Sequence, residues 1–312
     1  MMRGVLCSAA AVTDELMRRG ELWQPAPGLV ALRGEVARLR DVVAAALREL
    51  CAAEGGEEWH LPPALPFATL EQADYFASFP QWLTAASHFS DPAGLAAIAE
   101  AREPATAALA TLRPAPIALQ PAVCYHVYAA LSGRVVSGTQ RISAGGTCWR
   151  HEAGRFAPLE RGWSFTMQEA VRAGTAEEVR ESCEWYRVAA QRFAERLGLR
   201  PRIAAATDPF FAAGSRGRAL LQRLRSLKHE LLLPLGDGRR VAAASFNDHA
   251  RFFGDAFGIR LPDGTPATTG CAAFGVERWV LAVLVEHGTD ARDWPTILES
   301  PQTRAATPAQ AR

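Results

Sequence analysis

Apolar positions change rhythm several times along the chain. Residues 29–51, LVALRGEVARLRDVVAAALRELC, set apolar side chains at helical spacing with Glu and Arg on the other face. This predicts a helix ended by Gly55-Gly56. WHLPPAL predicts a short strand closed at Pro62-Pro63, because proline has no N–H for a ladder. Residues 92–110 are alanine-rich and predict a helix, whereas CYHVYAAL, 124–131, fits either a strand or a helix. Residues 147–169, TCWRHEAGRFAPLERGWSFTMQE, read as a hairpin of two alternating runs. TAEEVRESCEWYRVAAQRFAERLG follows, with Thr175 as a cap, acids in the first turn and a closing glycine, all signs of a helix. VAAASFNDHARFFGDAF and TTGCAAFGVERWVLAVLVEHG complete the predicted core, and residues 299–312 are expected to be a flexible polar tail. Neither an internal repeat nor a proline-serine linker divides the chain. One α+β domain over residues 1–298 is the simplest organisation, with residues 1–28 as an N-terminal appendage.

Composition narrows the class. With 312 residues, 49% hydrophobic and 21% charged, the chain has ordinary globular proportions. A chain this long buries about three quarters of its surface. A formal net charge of +1 excludes a global field that would recruit nucleic acid, so any basic docking patch is local. Six cysteines, at 7, 51, 124, 148, 183 and 271, form no CxxC pair. That argues against a disulfide framework and suits a reducing cytoplasm. The start, MMRGVLCSAAAVTDELM, meets acids directly after its apolar run and is a poor signal peptide. No apolar run approaches the roughly 18 residues of a membrane span, so the expected location is the cytoplasm with no membrane partner.

The hairpin is where charge changes the picture. Strand alternation would put Cys148, Arg150 and Glu152 on one face and Trp149 with His151 on the other. On the return strand Trp163, Phe165, Met167 and Glu169 share a face, and the glutamate is the odd member of that apolar row. A buried carboxylate must be paired or ligate something. The loop adds Arg155, Glu160 and Arg161. Arginine forks suit phosphate, and Glu152 can accept from an amine or hydroxyl. A ligand with phosphate and amino groups fits this mixture. A solvated hairpin with cross-strand ion pairs fits it too, and the residues alone leave both open.

CWRHE, LERGWSFTMQE and GVERWVLAVL resemble motifs 2 and 3 of the class II aminoacyl-tRNA synthetases. The helix at 29–51 and the strand ending in Pro62-Pro63 resemble a degenerate motif 1, the dimer-forming element of that family. The resemblance runs from about residue 20 to 290. It implies an antiparallel sheet flanked by helices, a homodimer, and ATP with Mg²⁺ as substrate. Carried over by position, Arg150 meets the α-phosphate of ATP and of the adenylate, and Glu152 the adenine amino group. Arg161 sits in the ATP-touching loop, and Arg278 meets the γ-phosphate. Arg150, Glu152 and Arg278 are then the catalytic set. Attack at the α-phosphate builds negative charge, and fixed guanidinium groups stabilise it without reorganising. A Walker loop and a G-x-G-x-x-G are both absent, as a synthetase-type site implies.

Two features point to one branch. Neither a long heptad arm nor an anticodon domain after motif 3 is expected from these 312 residues. Cys124, Glu169 and Cys271 fall where the methanogen-type seryl-tRNA synthetases carry a Cys, Glu, Cys zinc site, shared by the truncated amino acid:[carrier protein] ligases. The chain resembles the latter. Singly, each cysteine would be a buried small hydrophobe and Glu169 a paired carboxylate. Together the resemblance implies Zn²⁺ with three protein ligands and one open position for the substrate amine. The other four cysteines are read as structural. Lys228 and Glu230 in SLKHELLLP resemble the strand before the substrate pocket of seryl synthetases, and Asn247 the position that orients their substrate. The small apolar setting, AAASFND, favours glycine or alanine over serine. Asp208 in ATDPFF either holds the amino group or caps the turn before Pro209. The amino-acid set is thus Glu169, Asn247, Lys228 and Asp208.

Residues 212–228 carry Arg216, Arg218, Arg223, Arg225 and Lys228 without an acid. They read as a solvated basic face, or as a dock for an acidic carrier protein whose phosphopantetheine thiol takes the aminoacyl group, with salt-sensitive association. Tyr186, Arg187 and Arg192 would extend that surface. No tRNA partner is expected. Two rivals remain: a minimal seryl-type tRNA synthetase, which should show a tRNA-sized basic face, and a non-catalytic synthetase-like regulatory subunit, which should lack Arg150, Arg278 or the metal ligands.

Overall fold

The computed structural model describes residues 8–89, 91–152, 154, 156–208 and 227–296. Strand Glu57–His60 (β1) runs parallel to Gln140–Trp149 (β2), and β2 pairs antiparallel with Ser164–Gly174 (β3). Arg202–Ala205 (β4), Lys228–Pro234 (β5), Arg240–Asp248 (β6) and Thr268–Gly275 (β7) complete a seven-stranded sheet of order β1-β2-β3-β7-β6-β5-β4. Every pair beyond β1–β2 is antiparallel. The expected α+β sheet therefore carries one parallel edge strand.

The helices used below are Ala9–Arg18 (α1), Gly34–Ala52 (α2), Cys124–Ala130 (α3), Ala176–Arg196 (α4), Phe252–Phe257 (α5) and Val276–His287 (α6). Two apolar clusters sandwich the sheet. One joins Leu39, Val43 and Leu47 of α2, Phe193 of α4 and Trp279 of α6 to Ala170, Ala272 and Phe274 of the central strands. The other joins Val127 and Tyr128 of α3 and Phe253 of α5 to Met167, Val171, Cys271 and Ala273. The period of two in a strand explains the split, since odd positions of β3 and β7 face α3 and even ones face away. Glu169 and Cys271 are odd. A one-residue slip in either strand would turn its chemical side chain to the wrong face.

Three expectations change in detail and a fourth is resolved. Residues 29–32 form a strand, Leu29–Leu32, paired with Leu22–Ala26. The helix starts only at Gly34, whose φ of 64° belongs to the left-handed region that glycine tolerates. Residues 92–110 form two helices, Pro92–Glu100 and Pro104–Thr111, each opened by a proline whose missing N–H costs nothing there. WHLPPAL splits at its prolines: β1 ends at His60, and Ala64–Pro66 pairs instead with Arg113–Leu119 in a small sheet that also holds Ala85–His88. CYHVYAAL resolves as α3. The α4 cap forms as expected, with Thr175 and Glu178 bonding reciprocally to each other's backbone.

Tyr186 does not extend a docking surface. It is 1% exposed, donates to the Cys51 carbonyl at 2.8 Å and accepts from Arg172. Arg216, Arg218, Arg223 and Arg225, and the tail at 299–312, lie outside the described residues. Among the described residues no helix is long and apolar enough to cross a membrane.

Candidate active site

A cavity of about 900 Å³ lies against β3, β5, β6 and β7, and its walls hold Arg150, Glu152, Arg161, Arg278, Cys124, Glu169, Cys271, Asp208, Lys228 and Asn247. The four arginines at 216, 218, 223 and 225 fall outside the described residues. The remaining candidates come from six separate stretches of sequence.

Arginines crowd one end. The β2–β3 ladder stops at Trp149, so Arg150 and Glu152 leave the strict alternation expected of them while still lining the cavity. Arg150 closes the hairpin neck through its N–H to the Trp163 carbonyl at 2.9 Å. Its Nε donates to the Pro121 carbonyl at 2.9 Å. Its guanidinium lies 5.0 Å from the Trp82 ring and 5.5 Å from the Phe165 ring, held by attraction to the negative ring faces. Arg278, in the first turn of α6, donates Nε to the Glu160 carbonyl at 2.8 Å and Nη1 to the Ala242 carbonyl at 2.7 Å. Burial lowers its hold on the proton, and repulsion from Arg150 and Arg161 adds to that. Arg161 is paired with Glu152. Guanidinium groups that repel one another across a cavity make a place for a polyanion.

Donors to a metal crowd the other end. The sulfurs of Cys124 and Cys271 and a carboxylate oxygen of Glu169 all lie within 4.8 Å of one another, and all three residues are buried. Register explains the meeting: β7 sets Cys271 opposite Val171 and Ala273 opposite Glu169, while Cys124 opens α3 above them. Glu169 Oε1 accepts from the Val123 N–H at 2.8 Å, but Oε2 is buried with no hydrogen-bond partner among the described residues. Burial pushes the Glu169 carboxyl up to about 8, the charge of Cys271 adds to this, and the Val123 N–H opposes it. Cys271 is the thiol held low, by hydrogen bonding from Cys124 and then from His249 and Asn247. Asn247 Nδ2 donates to its sulfur at 3.4 Å and His249 Nε2 lies 3.9 Å away. Two sulfurs and an orphaned carboxylate oxygen, buried together, are the donor set of a borderline-soft divalent ion such as zinc. The residues fit the metal.

Lys228, 8% exposed, also lines the cavity, pairs with Asp208 and stands 3.4 Å from Glu230. Asp208 thus meets a buried ammonium. Asn247 also donates to Ser245 Oγ at 3.1 Å.

His249, Trp82 and Tyr75, unmarked by the sequence, also line the cavity, and so does Phe165, for which the sequence indicated no role there. His249 Nδ1 lies 3.3 Å from the Tyr128 hydroxyl, which donates to the Gly270 carbonyl at 3.1 Å. Its spacing of two from Asn247 was the available signal. Phe165 was signalled by its alternation with Glu169. Nothing local marks Trp82 or Tyr75.

The family model for the tRNA synthetase class II core domain (G, H, P, S and T) matches residues 115–287. Amino acid–[acyl-carrier-protein] ligase 1 of Bradyrhizobium diazoefficiens is 38% identical over 245 residues, which cover 77% of this chain and 74% of that protein. The type-2 serine–tRNA ligase of Methanopyrus kandleri is 32% identical over 57% of this chain, but only 36% of that enzyme is matched. Among solved structures, the M. kandleri seryl-tRNA synthetase in complex with tRNASec of A. aeolicus superposes with a TM-score of 0.82 at 27% identity. That match covers 92% of this chain and 59% of the synthetase chain.

Proposed function

This chain belongs to the class II tRNA synthetase core family, in its amino acid–[acyl-carrier-protein] ligase branch, and on that premise we propose its reaction. The chain joins a small amino acid, glycine or alanine, to ATP as an aminoacyl-adenylate and passes it to the phosphopantetheine thiol of a carrier protein. The observation that carries this reading is one cavity with anchored arginines at one end and a buried Cys, Glu, Cys donor set at the other.

In the first step a carboxylate oxygen forms a bond to the α-phosphorus while the bond to pyrophosphate breaks. Arg150 holds the α-phosphate, and Arg278 faces the γ-phosphate of the departing pyrophosphate, with Mg²⁺ accompanying ATP. Because carbonyls already fix both guanidinium groups, neither reorganises as charge builds. Glu152 receives the adenine amino group, Arg161 is released from Glu152 toward ATP, and the Phe165 ring offers an apolar face beside them. Zinc, held by Cys124, Glu169 and Cys271, would supply a Lewis-acidic position for the substrate amine, so that an amine is required and a hydroxy acid refused. Asn247 steadies Cys271, and Lys228 with Asp208 borders the amino-acid end. Ala242, Ala243 and Ala244 line the wall, which fits a small substrate. In the second step the thiol sulfur bonds to the acyl carbon and AMP leaves. A partly ionised thiol is nucleophilic enough without a protein nucleophile.

The carrier docks on residues 212–228 and the enzyme works as a homodimer. The test is a pyrophosphate-exchange screen over the amino acids, followed by mass spectrometry of holo-carrier proteins. Glycine- or alanine-dependent exchange and an aminoacyl mass on the carrier are expected. Charging of tRNA without carrier loading would overturn the reading in favour of a minimal synthetase.

A further inference from the structure

Tyr75 sits where its hydroxyl has no use in the protein alone. The residue is 1% exposed, yet it lines the cavity. Its hydroxyl is buried without a hydrogen-bond partner among the described residues. A phenol buried this deeply normally finds a partner, because an unmet polar group in an apolar setting costs more than a hydrogen bond returns. Here the ring is fixed on two sides: it meets the Tyr125 ring edge-on at 5.7 Å between centroids and the Phe79 ring at 5.7 Å. It opens the short helix Tyr75–Ser78, after Asp74 at a φ of 54°.

Position says what the hydroxyl is for. Tyr125, against which the ring rests, directly follows Cys124 of the donor set. Phe79, the other ring it meets, stacks on Trp82 at 5.2 Å between centroids, and the Trp82 ring lies 5.0 Å from the Arg150 guanidinium. One ring contact of Tyr75 thus leads toward the amine-binding end and the other toward the phosphate-binding end. In the reaction proposed above, the group that must span those two ends is the carboxylate of the amino acid, which becomes the acyl group of the adenylate.

We infer that Tyr75 donates its hydroxyl to a carboxylate oxygen of the amino acid, and so orients that carboxylate for its attack on the α-phosphate held by Arg150. This rests on the reading of the site as an adenylate-forming one. It makes Tyr75 a substrate-contacting residue whose bond exists only when the amino acid is bound. The balance is simple: the phenol keeps its proton throughout, and no bond to it forms or breaks.

Tyr75→Phe separates this from a structural role, since it removes one oxygen and leaves the ring. Pyrophosphate exchange on the full-length, zinc-loaded chain should show kcat/KM for the amino acid reduced about tenfold, the loss expected for one hydrogen bond to a charged group. The KM for ATP should stay within about twofold of wild type. The melting temperature of the ligand-free variant should be equal to or above wild type, because the oxygen removed had no partner. Unchanged amino-acid kinetics would overturn the inference alone. A lowered melting temperature with equal losses toward ATP and amino acid would also overturn it, showing that Tyr75 only packs. A wild-type chain without amino-acid-dependent exchange would overturn the adenylate reading, and the inference with it.

Discussion

The two ends of the cavity are built on opposite principles. At the arginine end each guanidinium named above already has a partner: Arg150 a carbonyl and two aromatic rings, Arg278 two carbonyls, Arg161 the Glu152 carboxylate. At the other end Glu169 Oε2 is buried beside two sulfurs and has no hydrogen-bond partner among the described residues. Polar satisfaction at the first end means that its geometry is set before ligand arrives, which is what charge stabilisation in a transition state requires. An unsatisfied group at the second end means that it is completed by what binds. Loss of a residue should therefore reduce rate at the arginine end, but change metal content, stability and rate together at the donor end.

The largest break is at the donor end. Cys271→Ala should abolish amino-acid-dependent pyrophosphate exchange and lower zinc from about one per chain toward none, measured by elemental mass spectrometry, because one of three ligands is gone. Next, Arg278→Ala should lower the exchange rate by about 10²- to 10³-fold, or about 3 kcal/mol, while zinc content stays unchanged. A matching loss of zinc would erase the distinction between the two ends. Reversal of charge at Arg218 and Arg225 to glutamate should slow transfer to the carrier by about tenfold and spare adenylate formation, with the difference shrinking in high salt. Equal loss of both steps would remove the basic segment as a dock.

The smallest effect is the pH response of the stripped protein. In the folded, metal-free chain the Glu169 carboxyl keeps its proton up to about pH 8, while in the unfolded chain it ionises in the usual range near about 4.3. The folded state binds the extra proton between those values. The contribution of this group to stability is therefore complete below about pH 4 and is lost as pH rises toward about 8. Thermal melts of stripped wild type against stripped Glu169→Gln should show the wild type losing ground between pH 5.5 and pH 8. Zinc loading should remove that trend, since a bound ion keeps the carboxylate ionised.

What the sequence disclosed follows from how each signal is encoded. Parity along a strand told which side chains share a face, so the place of Glu169 with Phe165 and Met167 was readable from FTMQE alone. The Thr175 cap and Glu178 were readable for the same local reason. The meeting of Cys124, Glu169 and Cys271 was not local, and only resemblance to a family with that triad suggested it. Tyr186 misled because its hydroxyl is consumed by Arg172, 14 residues earlier, and by the Cys51 carbonyl, 135 residues earlier. A helical spacing cannot show such partners. Residues 29–32 misled because apolar spacing continues through Gly34, where the backbone turns. Trp82 and Tyr75 were silent: they reach the cavity from a segment far from the hairpin in sequence, and that segment shows no period that marks it.

The most direct test is pyrophosphate exchange by one protein preparation, stripped of metal and then reloaded with zinc, using alanine and its hydroxy-acid counterpart, lactate. Exchange with alanine is expected only after reloading, and none with lactate in either state. Full activity from the stripped protein, or equal exchange with lactate, would contradict it.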